Sequence, residues 1–420
     1  MYLNFKKILS NIVELTINTK GFVIGSIVQQ LLLIISLPIF AIILEPKEIG
    51  VFLLFTTQVL VISHLCCFGF TQSIIKQAND INKKDLKSYL SSIYCYSSII
   101  TIGIFILLYL TRIITSDFIL SKVLMEFYPY TALTFLYVFL EIPFNIFLAK
   151  YRSLNDYKRY NIYIVLSTLI SIIISIILIH FMNYGVLGRI FGSILTYSVF
   201  YLFIIFKKYL TLNFNKNYFI KAFKFGSFLA LQWLYLEYYN FYCFKIIEEN
   251  MEKDFLGVLS IHRSLALQIP LFIVSSIELA LVPLYLKFCK TNNKSKFNNL
   301  FYTYIVLYGI FCIIYGLLYN LIHSLLFDVN YSKYMWVGII FILSSFLRSL
   351  MFIPLYYQYV KNKTQIVMYA FVISTSLMFF YIFLKLENLS RIDVILIIIM
   401  PNILNTIILT IFKKRSENRC

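Results

Sequence analysis

Long apolar runs recur along almost the whole chain, from near residue 21 to near residue 413, and short polar connectors separate them. A run of about 20 mainly apolar residues is long enough to cross the hydrocarbon core of a bilayer as an α-helix. We therefore predict twelve membrane-spanning helices, at residues 21–43, 49–70, 89–111, 127–149, 161–181, 185–206, 221–244, 256–284, 300–326, 334–357, 364–385 and 393–412.

A shorter segment precedes the first run. Residues 3–17 carry apolar side chains at helical spacing, and lysines lie on both sides of them. This pattern is typical of an amphipathic helix in the membrane interface and differs from that of a cleavable signal peptide.

The composition supports a membrane protein. Hydrophobic residues make up 60% of the chain and charged residues 13%, whereas a soluble domain has about 45–50% and about 25%. The net charge of +18 arises mostly in the connectors, where positive charges orient spans and attract anionic lipid. Without a soluble domain to carry a basic face, nucleic acid is not an expected partner.

Lysine and arginine alternate between the two sides of the predicted topology. Connectors on one side, together with both termini, hold 26 of these residues, the opposite side holds 8, and three lie within spans. The positive-inside rule then places both termini in the cytoplasm. The longest outer connector has roughly a dozen residues around Glu248, which is too short for an extracytoplasmic catalytic domain.

The connector 207–220 divides the spans into two sets of six. We predict an all-α integral membrane protein with an N-terminal six-helix bundle at 1–206, including the interfacial helix. A cytoplasmic linker at 207–220 and a C-terminal six-helix bundle with a basic tail at 221–420 follow. Transporters often hold their substrate between two such bundles.

Cysteine and histidine give no sign of a metal site. The seven cysteines are scattered without a C-x-x-C pair, and the four histidines do not group along the sequence. No phosphate-binding Gly-x-x-x-x-Gly-Lys motif occurs either. We expect no cofactor, no metal and no direct use of ATP, so an ion gradient, the membrane potential or removal of product would supply direction.

Several local patterns occur in an informative order. They are the outer turn 44–50 (LEPKEIG), the segment 68–76 (FGFTQSIIK), the basic link 149–160 (AKYRSLNDYKRY), the small residues Gly185, Gly188, Gly192 and Ser193, and Pro283. Over nearly the whole chain, these patterns and the arrangement of spans resemble the Wzx-type O-antigen flippases, polysaccharide biosynthesis proteins of the MATE-like MOP superfamily.

The resemblance implies a function. It implies a protein of the bacterial cytoplasmic (inner) membrane that moves an undecaprenyl-pyrophosphate-linked oligosaccharide from the cytoplasmic to the outer leaflet by alternating access. The expected partners are that lipid-linked glycan and membrane lipid, with a polysaccharide polymerase and a chain-length regulator as candidate protein partners.

Ionisable groups inside spans are costly, so they are the first candidates for a site. Arg348, Arg263 and Arg189 lie within predicted spans, and Ser344 and Ser345 share a helix face with Arg348. A guanidinium binds pyrophosphate through two hydrogen bonds, which suits the implied anionic substrate. Snorkelling to the interface would explain Arg189 almost as well.

Further candidates line the same predicted path. Arg152 at the cytoplasmic mouth would attract the headgroup or would only fix topology, and Gln29 and Gln30 lie in the first span. Trp233 and Asn240 would bind sugar, although an aromatic belt explains the surrounding tyrosines equally well.

Three carboxylates are candidates for proton or ion coupling: Glu141, Glu237 and Glu278. A carboxylate in a low-dielectric environment takes up a proton readily, which would suit a coupling role. Structural pairing with the arginines is the alternative for the deep carboxylates Glu141 and Glu237, whereas Glu278 is close enough to the cytoplasmic end to reach water.

Two other functions remain open. An ion-coupled multidrug or small-molecule exporter would share the architecture but would favour an acidic cavity over intramembrane arginines. A membrane glycosyltransferase or polymerase would also handle lipid-linked sugars, but such enzymes usually need a larger outer loop than this chain offers.

Overall fold

The structure is a computed structural model of the 420-residue chain. It describes residues 5–77, 81, 83–115, 124–154, 156–252, 254–270, 294–328, 331–351, 354–355, 358, 364–385 and 390–417.

Helices make up almost all of the described chain. The first eight are α1 (Phe5–Ile43), α2 (Pro46–Cys67), α3 (Phe70–Gln77), α4 (Lys83–Thr115), α5 (Ala132–Ser153), α6 (Tyr157–His180), α7 (Gly185–Phe206) and α8 (Lys216–Asn250). They are followed by α9, whose described part is 255–270, and by α10 (Lys294–Leu326), α11 (Trp336–Leu350), α12 (Thr364–Lys385) and α13 (Arg391–Glu417). A short π-helical turn, Phe127–Thr131, leads into α5.

The helices match the predicted spans. Among the described residues, nine helices are long and apolar enough to cross a membrane, and they coincide with the predicted spans 1–6, 9, 11 and 12. The seventh predicted span lies within α8, a helix of 35 residues. The described part of the eighth is helical, and the tenth contains α11, which begins at Trp336. The predicted all-α membrane fold is confirmed.

Exposed apolar side chains are frequent on these helices. Ile106 is 50% exposed, Leu317 80% and Phe380 63%. Such side chains suit contact with lipid, in which apolar surface carries no cost. The helix α1 begins at Phe5 and continues without a break to Ile43, so the described part of the segment expected in the interface, 5–17, is helical. Its position at the interface stays a prediction.

The chain divides into two compact units, each of which packs mainly within itself. The first, which we call the terminal unit, consists of 1–41 and 258–420, and the second, the central unit, consists of 42–257. The helix α8 therefore groups with the helices that precede it. The predicted division into bundles at 1–206 and 221–420 stays a prediction.

Aromatic rings fill the core of the central unit. Phe147 packs edge to face against Tyr151 and Tyr163, with ring centroids 4.8 Å and 4.9 Å away, and Phe144 lies 4.7 Å from Phe200. Edge-to-face contacts add about 0.5–1.5 kcal/mol per pair beyond the burial of area. The many aromatic residues thus serve packing throughout this unit.

Glycine allows the closest helix approaches in the central unit. A Cβ added to Gly192 on α7 would lie 2.7 Å from the main-chain nitrogen of Ser175 on α6, and one added to Gly188 would lie 3.0 Å from that of Ile179. The α2 helix ends at Phe68 and Gly69, both left-handed, and a Cβ on Gly69 would lie 2.5 Å from the carbonyl oxygen of Gly226 on α8. Only glycine fits where two backbones come this close.

Polar side chains join helices within the terminal unit. The hydroxyl groups of Tyr308 on α10 and Ser345 on α11 are 2.6 Å apart. The Asn402 amide on α13 donates to the Ser344 hydroxyl over 2.7 Å, and Ser374 on α12 donates to Asn405 over 2.8 Å. These bonds satisfy buried polar groups that lipid could not satisfy.

Candidate functional site

One turn of α2 brings together polar groups from three helices of the central unit. The His64 ring stacks on the Trp233 indole of α8, with centroids 6.1 Å apart and planes 15° apart. The Glu237 carboxylate acts electrostatically on His64 and accepts a hydrogen bond from the Asn240 amide over 3.3 Å. An imidazole from α2 and an indole, a carboxylate and an amide from α8 are thus brought close together.

The regular spacing of α8 explains why these groups meet. Trp233, Glu237 and Asn240 are separated by four and three residues, which places them on one face of a helix. The α8 helix packs along α2, so this face meets the turn that carries His64. All four side chains are half-buried.

A second carboxylate approaches the same turn of α2. Glu141 on α5 acts electrostatically on the Cys67 thiol, one turn after His64, and bonds to Asn145 on its own helix. Tyr137 and Tyr197 lie beside it, with ring centroids 5.1 Å apart. Each carboxylate thus acts on one residue of the turn 64–67, and we call His64, Cys67, Glu141, Trp233 and Glu237 the α2 polar cluster.

The chemistry available to this cluster follows from its groups. Imidazole and carboxylate side chains accept and release protons, and a low-dielectric setting makes their charge sensitive to neighbours. The Trp233 indole and the neighbouring tyrosines offer stacking surface, and the adjacent Asn240 amide offers hydrogen bonds. Sugar rings and organic cations both use such contacts.

The predicted outer end of the central unit holds a polar cleft of about 360 Å³. It is lined by Glu45, Lys47, Glu48, Val51, Tyr130 and Val186. Both oxygens of Glu48 accept main-chain hydrogen bonds, from Val186 at 3.0 Å and from Glu45 at 3.1 Å. The Glu48 carboxylate therefore caps the N-terminal ends of α2 and α7.

The end of α8 carries charges whose pKa values are shifted. Burial lowers the pKa of the Lys245 ammonium, which donates to the carbonyl oxygen of Leu124 over 2.7 Å. Partial burial and the neighbouring carboxylate of Glu249 raise the pKa of Glu248, and Lys245 opposes that change. Lys245 therefore offsets only part of the cost of holding Glu248 charged beside Glu249.

The predicted arginines lie apart from the α2 polar cluster or in the other unit. The Arg189 guanidinium on α7 lies over the Phe52 ring of α2, 3.9 Å from its centroid, which is a cation–π contact. Arg152 is half-buried at the end of α5 and acts electrostatically on Tyr160. Arg263 and Arg348 are half-buried in the terminal unit.

The other predicted residues are placed as follows. Ser344 and Ser345, which share a face with Arg348, bond to neighbouring helices, so these two hydroxyls join helices rather than line open space. Gln29 and Gln30 are half-buried on α1. Glu278 lies outside the described residues. The role of each residue in a substrate path stays a prediction.

Glu141, Glu237, Trp233 and Asn240 were predicted from the sequence, but His64, which stacks on Trp233 and interacts with Glu237, was not. His64 is an ionisable group in the middle of the second apolar run, and by the rule applied to the arginines it was a candidate. It was overlooked because the histidines are scattered along the chain. The tyrosines beside Glu141 gave no signal, since tyrosine is frequent throughout.

Comparison with known proteins identifies the family. Residues 17–289, well over half of the chain, match the sequence model of the family described as "Polysaccharide biosynthesis protein". Among proteins of curated function, none matches the sequence significantly.

Several solved structures share the fold. An inward-facing multidrug resistance MATE family transporter of the MOP superfamily has a TM-score of 0.71 at 14% identity, over 93% of this chain and 98% of that one. An outward-facing structure of such a transporter has a TM-score of 0.60 at 16% identity, over 97% and 95%. A mutant of the Vibrio cholerae MATE transporter VcmN has a TM-score of 0.62 at 11% identity, over 99% of both chains.

The family match and the fold agree with each other. The fold is that of multi-pass membrane transporters, and the family is one of polysaccharide biosynthesis. The chain belongs to the polysaccharide biosynthesis protein family and is a multi-pass membrane protein with a MATE-like fold.

Proposed function

We propose that the protein moves an undecaprenyl-pyrophosphate-linked oligosaccharide, such as an O-antigen repeat unit, from the cytoplasmic to the outer leaflet of a bacterial inner membrane. The observation that carries this proposal is the match of 17–289 to a polysaccharide biosynthesis family in a chain with a transporter fold. A polysaccharide pathway needs an exporter for precursors that are made on the cytoplasmic side, and the lipid-linked repeat unit is such a precursor.

The charge of the arginines supports an anionic headgroup. In this proposal, Arg348 and Arg263 of the terminal unit bind the pyrophosphate, and Arg152 and Arg189 attract it near the two ends of the path. A guanidinium keeps its charge when it is desolvated and presents two parallel donors to phosphate oxygens. Gln29 and Gln30 would add neutral hydrogen bonds.

The α2 polar cluster supports contact with the glycan and coupling to protons. Trp233 would stack on a sugar ring and Asn240 would bond to its hydroxyl groups, while Glu141 and Glu237 would each exchange a proton during the cycle. His64 lies beside Glu237, so the charge of the imidazole would respond to that exchange. Glu278 is proposed for the same coupling role from its position in the sequence.

The test is display of surface polysaccharide in a bacterium that lacks its own flippase of matching specificity. Arg348→Glu should abolish display, Arg348→Lys should retain part of it, and Lys207→Glu, at an exposed position of the predicted linker, should behave like the wild type. Full display with Arg348→Glu at normal protein level would contradict the proposed anion site.

Reconstitution separates coupling from binding. Liposomes that contain a fluorescent lipid-pyrophosphate oligosaccharide should show translocation that increases with a proton gradient. Glu141→Gln and Glu237→Gln should remove that increase and leave a slow basal rate. Translocation that does not respond to the gradient in the wild type would exclude protons as the coupling ion. Topology can be checked with reporter fusions at both termini, which we place in the cytoplasm.

Export of an organic cation is the second candidate function. It is favoured by the two carboxylates beside aromatic rings in the α2 polar cluster and by the multidrug transporters that share the fold. Proton-driven release of ethidium from the same liposomes, inhibited by Glu237→Gln but not by Arg348→Glu, would support this function over the lipid-linked substrate. Co-purification would test the polymerase and the chain-length regulator as partners.

A further inference from the structure

Two histidines of the terminal unit meet in its interior. His262 on α9 and His323 on α10 stack with ring centroids 4.7 Å apart and planes 25° apart. Both side chains are fully buried, with 0% exposure. They are 61 residues apart in the sequence, so no local pattern pairs them.

Hydrogen bonds fix the tautomer of a neutral His262. Its Nε2 is 2.9 Å from the main-chain carbonyl oxygen of Lys333, which can only accept, so Nε2 carries a hydrogen. Its Nδ1 is 2.8 Å from the Tyr319 hydroxyl, which can donate to it. Both nitrogens of a neutral His262 are thus satisfied in the buried interior.

His323 differs in this respect from its partner. Within the described part of the chain, neither of its ring nitrogens has a hydrogen-bond partner. Its ring contacts are with His262, with Tyr319 at 6.1 Å and with Phe327 at 5.0 Å. A buried polar group without a hydrogen-bond partner lowers the stability of the fold, so its presence in a native structure calls for a structural or functional explanation.

Among the described residues, the surroundings offer the pair no counter-ion. The titratable groups around it are the phenols of Tyr315 and Tyr319 on α10, and Tyr331 lies beyond Phe327. Lys333 contributes its carbonyl oxygen, Arg263 follows His262 on α9, and Gly338 on α11 leaves room for the Tyr319 ring. In the described ranges, no carboxylate bonds to or acts electrostatically on either imidazole. A charged ring would thus be desolvated here without compensation.

We propose that the His262–His323 pair is a proton-binding site whose occupancy controls the separation of α9 from α10. In the closed arrangement of the structure the pair is neutral. When the helices separate and water enters, a proton from water adds to a ring nitrogen of His323. Return to the closed arrangement requires release of that proton, because an imidazolium would then be buried without a compensating charge.

Acid favours the separated arrangement by linkage. A proton that binds one conformation more tightly shifts the equilibrium toward that conformation, by a factor up to the ratio of the two proton affinities. Histidine is the side chain whose charge normally changes between about pH 5 and 8. A tenfold ratio of affinities would therefore change the population of the separated form up to about tenfold over that range.

This site rests on the described terminal unit and requires no particular transported substrate. It can be tested on the full-length protein in nanodiscs by amide hydrogen exchange with mass spectrometry between pH 8 and 5, after correction for the intrinsic pH dependence of exchange. Peptides that cover 255–270 and 311–338 should open about tenfold more often at pH 5 than at pH 8. A peptide from α7 should not change.

Three variants assign the effect to His323. His323→Phe keeps a ring in the stack without a proton site, and His323→Gln keeps a neutral polar group; both should make opening independent of pH. His180→Phe, at an exposed histidine of the central unit, should behave like the wild type. Opening of the wild type that does not depend on pH, or a pH dependence that persists in both His323 variants, would overturn the proposal.

Discussion

The carboxylate of Glu48 at the start of α2 accepts a hydrogen bond of 3.0 Å from the main-chain N–H of Val186, at the start of α7. Its other oxygen accepts from the N–H of Glu45 over 3.1 Å. Gly185 has a φ of +50°, and a Cβ there would lie 2.1 Å from Glu48 Oε1. One side chain thus satisfies donors at the beginnings of two predicted spans, where main-chain N–H groups have no partner within their own helix.

Removal of this carboxylate should destabilise the central unit. We expect Glu48→Ala to lower the free energy of unfolding by about 1–2 kcal/mol, as loss of a helix cap does. Glu48→Gln keeps one acceptor oxygen and should cost less. Thermal unfolding of the detergent-solubilised protein measures both, and equal melting temperatures for Glu48→Ala and the wild type would refute the capping role.

The close approach of the main chains at Gly257 and Pro46 predicts a second effect on stability. A Cβ on Gly257 would lie 1.7 Å from the carbonyl oxygen of Pro46, whereas one on Gly103 of α4 has no atom within 4 Å. Gly257→Ala should therefore reduce the yield of folded protein strongly, because the backbones must separate. Gly103→Ala should be neutral or stabilising by up to about 1 kcal/mol, since alanine favours a helix. Size-exclusion chromatography and melting temperature compare the two, and similar behaviour would contradict this account.

A buried hydrogen-bond network around the Gln58 amide predicts a third effect on stability. Gln58 on α2 is fully buried. Its Nε2 donates to the hydroxyl groups of Thr131 and Thr134, over 3.1 Å and 3.2 Å. Its Oε1 accepts a hydrogen bond of 2.7 Å from the main-chain N–H of Met125. Gln58→Leu should cost about 1–3 kcal/mol, because the Met125 N–H is left buried without a partner. Gln72→Leu, at an exposed position, is the matched control. A small loss of melting temperature that is the same for both would disprove the network's contribution.

The raised pKa of Glu248 predicts a dependence on pH. Partial burial and Glu249 raise this pKa, so the folded protein holds the Glu248 proton more tightly than the unfolded chain does. Stability should then increase as the pH falls through the raised pKa towards the ordinary value of 4.5, and it should decrease as the pH rises through that raised pKa. Glu248→Gln should be more stable than the wild type at pH 7 and should flatten the pH profile in that window. A steeper profile for the variant would show that the sign is wrong.

Sequence patterns predicted the spans well, because the length and hydropathy of an apolar run correspond to the thickness and polarity of the bilayer's hydrocarbon core. They predicted helix ends less well, since a helix does not stop where the membrane does. The third predicted span begins at 89, but α4 begins at Lys83, because lysine and aspartate continue the helix into the polar region. Likewise, α8 runs from Lys216 to Asn250, beyond both ends of the predicted seventh span.

The candidate site was predictable residue by residue but not as an arrangement. Glu141 and Glu237 were recognised because an ionisable group within an apolar run is costly. Their approach to one turn of α2 depends on how α5 and α8 pack against that helix, and the sequence carries no periodicity that reports such packing. The pairing of His262 with His323 was hidden for the same reason.

The glycine contacts between α6 and α7 bear on the biogenesis of the protein. These helices are joined only by residues 181–184, and their backbones meet at Gly188 and Gly192. The contacts between these two helices lie within about 50 consecutive residues, so the hairpin can form as soon as both segments have left the translocon. We expect it to assemble cotranslationally, before the helices that follow it in the chain are synthesised.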